Sequence, residues 1–408
     1  MNSRRNVFLW ALYDFANSIV SIVFFLYFAQ WVVIDGGVKD LYFNLTFTIA
    51  AVLLLFTVPV TGSLLDSVLR RLTGIRYTTV LAALFYGLSA LQAVAGNATV
   101  ALIFFTLGLY FYLLSFTFYT PLINDIATPE KRGWVSGVGV AANYLGQFFG
   151  LVIALPFSNG TISLFHSSPR AETLLPSVIA FFVLALPMLI FFNETKKAPV
   201  SWTVPSETKK IWTSTKALFL SPGVALFMLT YFLFNDAVLT AANNFPIFLQ
   251  QVWSVSDTVK TYIMIGILIT SAIGGLFSGF IADRFGHKRT LTWILAGWIV
   301  ILPLVGLVQN FTLFVVTTTL MGFWFGANWA VSRSVMSYLC PPQAHNLTFA
   351  YFGLAERASS FVGPIVWGLI ISQLSTLGAV RYRYATLAVS CFIVIAFFVF
   401  RRVKSDRE

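Results

Sequence analysis

Charge is scarce in this sequence: only 10% of its 408 residues are Asp, Glu, Lys or Arg, against roughly 25% in an ordinary soluble domain. A surface that poor in charge would not stay dissolved in water. Cysteine is nearly absent, and Cys340 and Cys391 show neither the spacing of a disulfide framework nor that of a metal site. Both read as reduced packing residues. The three histidines, His166, His287 and His345, all fall in loops, and neither His-Glu-x-x-His nor Gly-x-Ser-x-Gly occurs. These absences argue against an intramembrane enzyme. There is no Gly-x-x-x-x-Gly-Lys-Ser/Thr loop, which excludes that device for drawing on ATP. The string Gly137-x-Gly139-x-x-Ala142 has the spacing of a dinucleotide fingerprint, but it opens an apolar run and follows no strand. No cofactor and no metal is expected.

What the chain has in abundance is apolar residues, 58% of the total. They recur in runs of about 20 or more, the length needed to cross a bilayer core about 30 Å thick at 1.5 Å per residue. The runs predict spans at 7–33, 43–65, 77–95, 99–126, 133–157 and 174–192, then at 222–250, 260–282, 290–309, 311–339, 347–373 and 383–402. The expected fold is therefore all-α integral membrane, with twelve transmembrane helices in two six-helix bundles at 1–192 and 222–408. The polar stretch 193–221, which carries Lys196, Lys197, Lys209, Lys210 and Lys216, joins them as a linker.

The net charge of +11 could indicate a nucleic-acid partner, but that needs a basic face on a soluble fold, and here the cations lie between apolar runs. With both termini cytoplasmic, nineteen Lys and Arg fall inside, five outside (Lys39, Arg170, Lys260, Arg381 and Arg383) and two within spans. That bias is the positive-inside pattern. The Ser3-Arg4-Arg5 start resembles a twin-arginine export signal only superficially, because Asp14 and Asn17 interrupt the apolar core and no small-residue cleavage site follows. It reads as a retained first helix.

The halves resemble each other. Gly62 and Asp66 close the second span as Gly279 and Asp283 close the eighth, both 217 residues on. Pro129 and Gly150 recur as Pro342 and Gly363 at an offset of 213, and Asp14 recurs as Asp236 at 222. Three landmarks in one order at nearly one spacing indicate a duplicated unit. Repeated bundles are a recurring transporter design, with a solute site expected near the membrane midplane.

Ionisable groups inside spans need a reason, since each costs roughly 2.5 to 3.5 kcal/mol at the bilayer centre. Asp14, Asn17, Ser18 and Ser21 share one helical face, and Asp236, Thr240, Asn243 and Asn244 repeat the pattern in the seventh span. These stripes either bond neighbouring helices together or line a cavity; the carboxylates favour the cavity. Asn124 and Asp125 lie near the end of the fourth span, where a carboxylate can also simply reach water. Arg333 and Glu356 lie at similar depths, so Arg333 is expected to pair with Glu356 or Asp236, with Arg357 as a second cation. Gly146-x-x-x-Gly150 and Gly275-x-x-x-Gly279 have the spacing of close helix contacts.

The most specific loop string is Gly279-Phe-Ile-Ala-Asp283-Arg284-Phe-Gly286-His-Lys288-Arg289. It predicts a tight turn with an acid clamped by cations, and it resembles the loop signature of the major facilitator superfamily, whose loops help lock one face shut. The first-half copy keeps Gly62, Asp66, Arg70 and Arg71 but lacks the arginine after the acid and the second glycine. WALYDFANS at 10–18, with Tyr13, Asp14 and Asn17, is similar to segments of the autophagy-linked vacuolar effluxer family and its bacterial relatives. So are YFLFNDAV at 231–238, with Asn235 and Asp236, SRS at 332–334, and FGLAERASSFVGP at 352–364. One departure stands out: Glu356 and Arg357 occupy a place where relatives usually have a small residue and Lys. The resemblance implies a transporter, with amino acids as one implied substrate class.

Together these features point to secondary active transport of a small polar solute by alternating access, with an ion or proton gradient as driver and Asp14, Asp236 and Glu356 as proton carriers. The expected surroundings are the lipid bilayer, in the cell membrane for a bacterial protein, with no nucleic acid and no obligatory oligomer. A sugar or drug permease on the same fold and a non-transporting sensor are the alternatives.

Overall fold

The computed structural model describes residues 3–67, 70–127, 132–194, 216, 222–339, 351–356 and 359–403. Pro129, Cys340, Pro342, His345, Arg357 and nearly all of the linker lie outside them, as do the side chains of Gly62, Asp66 and Asn124. Every regular element among the described residues is helical, as apolar runs without water partners for their backbone groups require.

Two compact units divide the chain: Met1–Trp202 with Ser256–Thr261, and Thr203–Val255 with Tyr262–Glu408. The first contains α1 (Ser3–Val23), α2 (Asp40–Ser67), α3 (Arg71–Val94), α4 (Ala98–Tyr119), α5 (Arg132–Ser158) and α6 (Leu174–Phe191). The second contains α7 (Pro222–Phe248), the body of α8 (Asp257–Phe285), α9 (His287–Leu307), α10 (Phe311–Leu339), α11 (Gly363–Gln373) and α12 (Val380–Arg401). Among the described residues, eleven helices are long and apolar enough to span a bilayer. The eleventh in order is the short one: the expected span 347–373 is a helical segment at 351–356 and then α11, separated by a break whose first residues are not described. Pro364 in the first turn of α11 has no N–H to donate to the preceding helix, so the chain restarts there.

In the first unit α1 is the enclosed element, packed on α5 and α6, and it continues past Val23 through π turns at Phe24–Phe28 and Trp31–Asp35. Phe24, Phe28, Phe43, Tyr86 and Phe105 form its aromatic core. Many large apolar side chains are exposed in both units, Phe56 at 75% and Leu276 at 77% among them. Water would penalise such a surface and lipid does not.

Glycine sets the closest helix approaches. A Cβ on Gly150 would lie 2.6 Å from Ile22 Cγ2 and 2.9 Å from the Ile19 carbonyl, so α5 meets α1 backbone to side chain, as the Gly146/Gly150 spacing predicts. In the second unit the expected register needs correction. Gly279 has nothing within 4 Å, while Gly274 abuts the backbone of Phe323, and Gly322 and Gly326 abut Ile267 and Ser271. The α8–α10 contact therefore needs small residues on both helices: it includes Gly275, which lies against Gly326, together with Gly274, and leaves out Gly279. Gly150→Leu is expected to destabilise the first unit by about 1–3 kcal/mol through overpacking, read as a lower melting temperature in detergent. Gly137→Ala, at a position with open space around it, should melt like the unmodified protein.

Candidate functional site

In the first unit the polar residues of α1 meet α3, α4 and α5. Tyr13 is fully buried and its hydroxyl lies 2.7 Å from Thr79 Oγ1. Tyr119 donates its hydroxyl to the Trp10 carbonyl at 2.9 Å, and the rings of Trp10 and Tyr119 stack with centroids 4.9 Å apart. Tyr13 packs against the same Tyr119 ring at 5.0 Å. Asp14 is half-buried beside this aromatic wall. Asn143 Nδ2 on α5 is 3.5 Å from Asp14 Oδ1, and Gln147 Nε2 donates to Asn143 Oδ1 at 2.7 Å. A carboxylate thus heads a chain of two side-chain amides, and such amides can exchange partners without moving backbone. Asn17 and Ser18 turn back on their own helix, donating to the Tyr13 and Asp14 carbonyls at 2.8 Å each, while Asn17 Oδ1 is buried with no partner among the described residues.

The second unit treats its equivalent carboxylate differently. Asp236 on α7 is 1% exposed and accepts the backbone N–H groups of Phe361, Val362 and Gly363 at 3.1, 3.1 and 2.8 Å. Those of Val362 and Gly363 are among the unpaired donors that any helix leaves at its start, and an anion there also opposes the positive end of the helix dipole. The adjacent Asn235 reaches the other side of the break, donating to the Glu356 carbonyl at 3.2 Å and to Ser359 Oγ at 2.5 Å. Two consecutive residues of α7 therefore satisfy both edges of the interruption before α11. A Cβ on Gly363 would stand 3.0 Å from Asp236 Oδ1 and clash with Thr240 Oγ1, so glycine is what lets the carboxylate come in. Arg333 pairs with Glu356 at 3.3 Å, with side-chain exposures of 48% and 14%. Asn243 is half-buried, and no bond joins it to another described residue. A cavity among α7, α9, α10, α11 and α12, about 30 Å³, is lined by Phe245, Trp298, Met321 and Trp367.

These geometries can be set beside known proteins. The family described as Vacuole effluxer Atg22 like matches residues 123–408. The chain belongs to that family. It is 24% identical to a multi-drug resistance efflux pump PmrA homologue of Lactococcus lactis over 100% of this chain and 98% of the other. Autophagy-related protein 22 of Kluyveromyces lactis is 23% identical over 48% of this chain and 41% of its own. Among solved structures, a bacterial homologue of the human lysosomal transporter Spinster superposes with a TM-score of 0.76 at 14% identity, covering 98% of this chain and 97% of that one. That likeness shows the major facilitator fold. The effluxer-family chain is a membrane transporter of this fold and not an enzyme.

The loop strings of this family member sit less tightly than their spacing predicts. Gly286 has φ +95° and starts α9, a conformation that glycine adopts without a Cβ penalty. Asp283, however, is exposed, and among the described residues it makes no ion pair with Arg284, Lys288 or Arg289. Arg284 instead lies over the Phe285 ring at 5.4 Å. Water solvates each charge at such a surface, and pairing would return only about 0–1 kcal/mol. In the first-half copy Arg70 is exposed at the N-cap of α3, and Arg71 binds Asp125 at 2.7 Å and the Pro121 carbonyl at 3.3 Å. Arg71 thereby ties α3 to the end of α4.

Sequence reasoning missed several participants. Asn143 and Gln147 were readable only as an i, i+4 amide pair. Glu194 caps α3 by accepting the backbone N–H groups of Arg71 and Leu72 at 2.9 and 3.1 Å. Arg76, Arg5 and Asn6 cover the carbonyls of Leu189, Phe191 and Asn193 at the end of α6. Asn328 on α10 is wholly buried, and neither amide atom has a partner among the described residues.

Proposed function

We propose that this chain is a secondary active transporter that moves a small polar solute, with amino acids as the leading class, by alternating access coupled to protons or another ion. The observation that carries this reading is the unequal use of two equivalent carboxylates. Asp14 faces side-chain amides and aromatic rings, the kind of lining that can trade its internal bonds for those of a solute amine or a proton. Asp236 faces three backbone N–H groups, which cannot be traded unless the helix break itself changes shape. Asp14 is therefore assigned to solute or proton contact, and Asp236 with Asn235 to holding the α11 break. Tyr13, Asn17, Asn143 and Gln147 complete the first surface. Arg333, Glu356 and Arg357 supply charge for the second, with Asn124, Asp125 and Asn243 as further pathway residues. Gly62, Asp66, Arg70, Arg71, Gly279, Asp283, Arg284, Gly286, Lys288 and Arg289 form the loops that close one face. Both termini lie on the cytoplasmic side of the cell membrane, and one chain suffices.

Amino acids are favoured by kinship to the autophagy-related proteins and by a carboxylate with nearby amides, which suits the ammonium of a zwitterion. Kinship to an efflux pump keeps drug-like cations as the second reading. Proteoliposomes that take up amino acids more slowly once the pH gradient is collapsed at fixed membrane potential would support proton coupling; unchanged uptake would remove it. Arg333→Gln is expected to abolish flux with a melting temperature near that of the unmodified protein, because a half-exposed pair contributes only about 0–1 kcal/mol. Normal flux in that variant would take Arg333 out of the mechanism.

A further inference from the structure

The connection between α5 and α6 shows more apolar surface than water favours. Residues 159–168 include no Asp, Glu, Lys or Arg, and only His166 among them can take up a charge. All of residues 159–166 are exposed, with Ile162 at 41%, Leu164 at 56% and Phe165 at 43%. Three large apolar side chains held in water carry a hydration cost that nothing in the loop returns. A loose loop would fold them inward, but this loop is fixed from both ends.

Glu172, in the turn Pro169–Glu172 that leads into α6, is 1% exposed and collects four donors from the loop. Its Oε1 accepts the Ser163 hydroxyl at 2.7 Å and the N–H groups of Ser167 and Phe165 at 2.9 and 3.3 Å, and its Oε2 accepts the Leu164 N–H. An ionised carboxylate accepts about four such bonds and donates none, so one buried side chain sets the path of residues 163–167. At the other end Asn159 Oδ1 takes the Thr161 N–H and hydroxyl at 3.0 and 2.7 Å, and the Ile162 N–H reaches back to the Pro156 carbonyl at 2.9 Å. Gly160 at φ +77° and His166 at φ +53° make the sharp turns. The second is a backbone state that residues with a Cβ rarely adopt, and it falls between two N–H groups that Glu172 holds.

The bond to Pro156 joins the loop to a lipid-facing surface. Leu145, Phe149 and Val152, at 54%, 45% and 45% exposure, stand at i, i+4 and i+7 on α5, and Pro156 is the next position of that stripe. The stripe is turned away from Gly146 and Gly150, which meet α1. α5 ends at Ser158 and the next apolar span begins at Pro169, so bonds to Pro156 and Glu172, one at each span end, keep the loop at the boundary of lipid and water. Ser168 Oγ lies 3.0 Å from Asp35, which closes the last turn of the extended α1, so that boundary is the one opposite the start of α1. We propose that residues 162–165 are a preshaped membrane-surface element: Ile162, Leu164 and Phe165 seat in the headgroup–acyl layer of that leaflet, and Glu172 is the positioning residue that presents them. The loop has no acid or permanent cation with which to choose among headgroups, so its partner is the neutral interfacial layer of the bilayer. Anchors of this kind set the depth and tilt of the spans they join.

The element depends on membrane embedding and not on the transport reading, so it is tested without a solute. In a full chain carrying Cys340→Ala and Cys391→Ala, the substitutions Ile162→Cys, Leu164→Cys and Phe165→Cys are made one at a time and given a nitroxide label. Each protein is reconstituted in phosphatidylcholine vesicles, and collision of the label with oxygen, which concentrates in lipid, is compared with collision with a water-soluble nickel chelate. The oxygen-to-nickel ratio at all three positions is expected to exceed that of a headgroup-labelled lipid at least about twofold, as suits seating roughly 5–10 Å into the headgroup–acyl boundary. Adding anionic lipid should leave it unchanged. A ratio at or below that of the headgroup-labelled lipid would place the side chains in water and overturn the proposal. Weak collision with both reagents would overturn it too, since that marks a protein cover such as a second copy. Glu172→Gln, which turns one acceptor oxygen into a donor facing the loop's own donors, is expected to sharpen the spectrum at position 164 and bring its ratio down to the headgroup value. An unchanged spectrum in that variant, folded, would take the positioning role from Glu172.

Discussion

Asp236→Ala is expected to loosen the break before α11 more than any other single substitution. It strands the N–H groups of Phe361, Val362 and Gly363, which now share one carboxylate. A buried donor without an acceptor costs about 1–3 kcal/mol, more where the lost partner was charged. The three together come to roughly 3–5 kcal/mol after partial relaxation, the range found when a buried charged partner is removed. Each 1.4 kcal/mol is a factor of ten, so hydrogen exchange at these amides should accelerate by more than about a hundredfold. Asp236→Asn keeps one accepting oxygen and should fall between the two. Exchange in the alanine variant equal to that of the unmodified protein would mean that α11 is held by its apolar face alone.

Asp14→Asn should leave the fold intact and remove most of the flux. The amide matches the carboxylate in size, and the Asn143–Gln147 chain can flip to pair with it. What disappears is the negative charge. A hydrogen bond to a charged group contributes about 1.5–3 kcal/mol, so initial rates should fall roughly ten- to a hundredfold with the melting temperature unchanged. The same change at Asp236 should lower stability and flux together, and that contrast separates the two carboxylates experimentally.

Much of this arrangement was legible before any coordinates, and the reason is solvent. In lipid a span must be apolar and helical throughout its length, so run length alone placed α10 at 311–339, where it is found. The break before α11 was written in Ser359, Ser360 and Gly363-Pro364, but apolar composition outweighed it, because a count of hydrophobic residues does not register who receives a backbone N–H. The polar stripe of α1 was placed on one face correctly; which helix it met was not, since Asn143 carries no mark that it points at Asp14. Arg170 and Lys260 were counted only as charges outside the spans, and Asp257 was not singled out. No local pattern encodes which distant residues such charges meet. The Gly275–Gly279 spacing held at Gly275 and not at Gly279 for a related reason: Gly274, Gly275 and Gly279 all suit close packing, and only the partner helix decides which of them face it.

Flux in proteoliposomes tests the central claim most directly. Purified protein is reconstituted and offered amino acids, sugars, amines and organic anions in parallel, with vesicles containing Asp14→Asn beside it. Accumulation of at least one polar class, amino acids first, that falls roughly ten- to a hundredfold in the variant is the predicted result. A folded, correctly inserted protein that moves none of these classes faster than empty vesicles would contradict it.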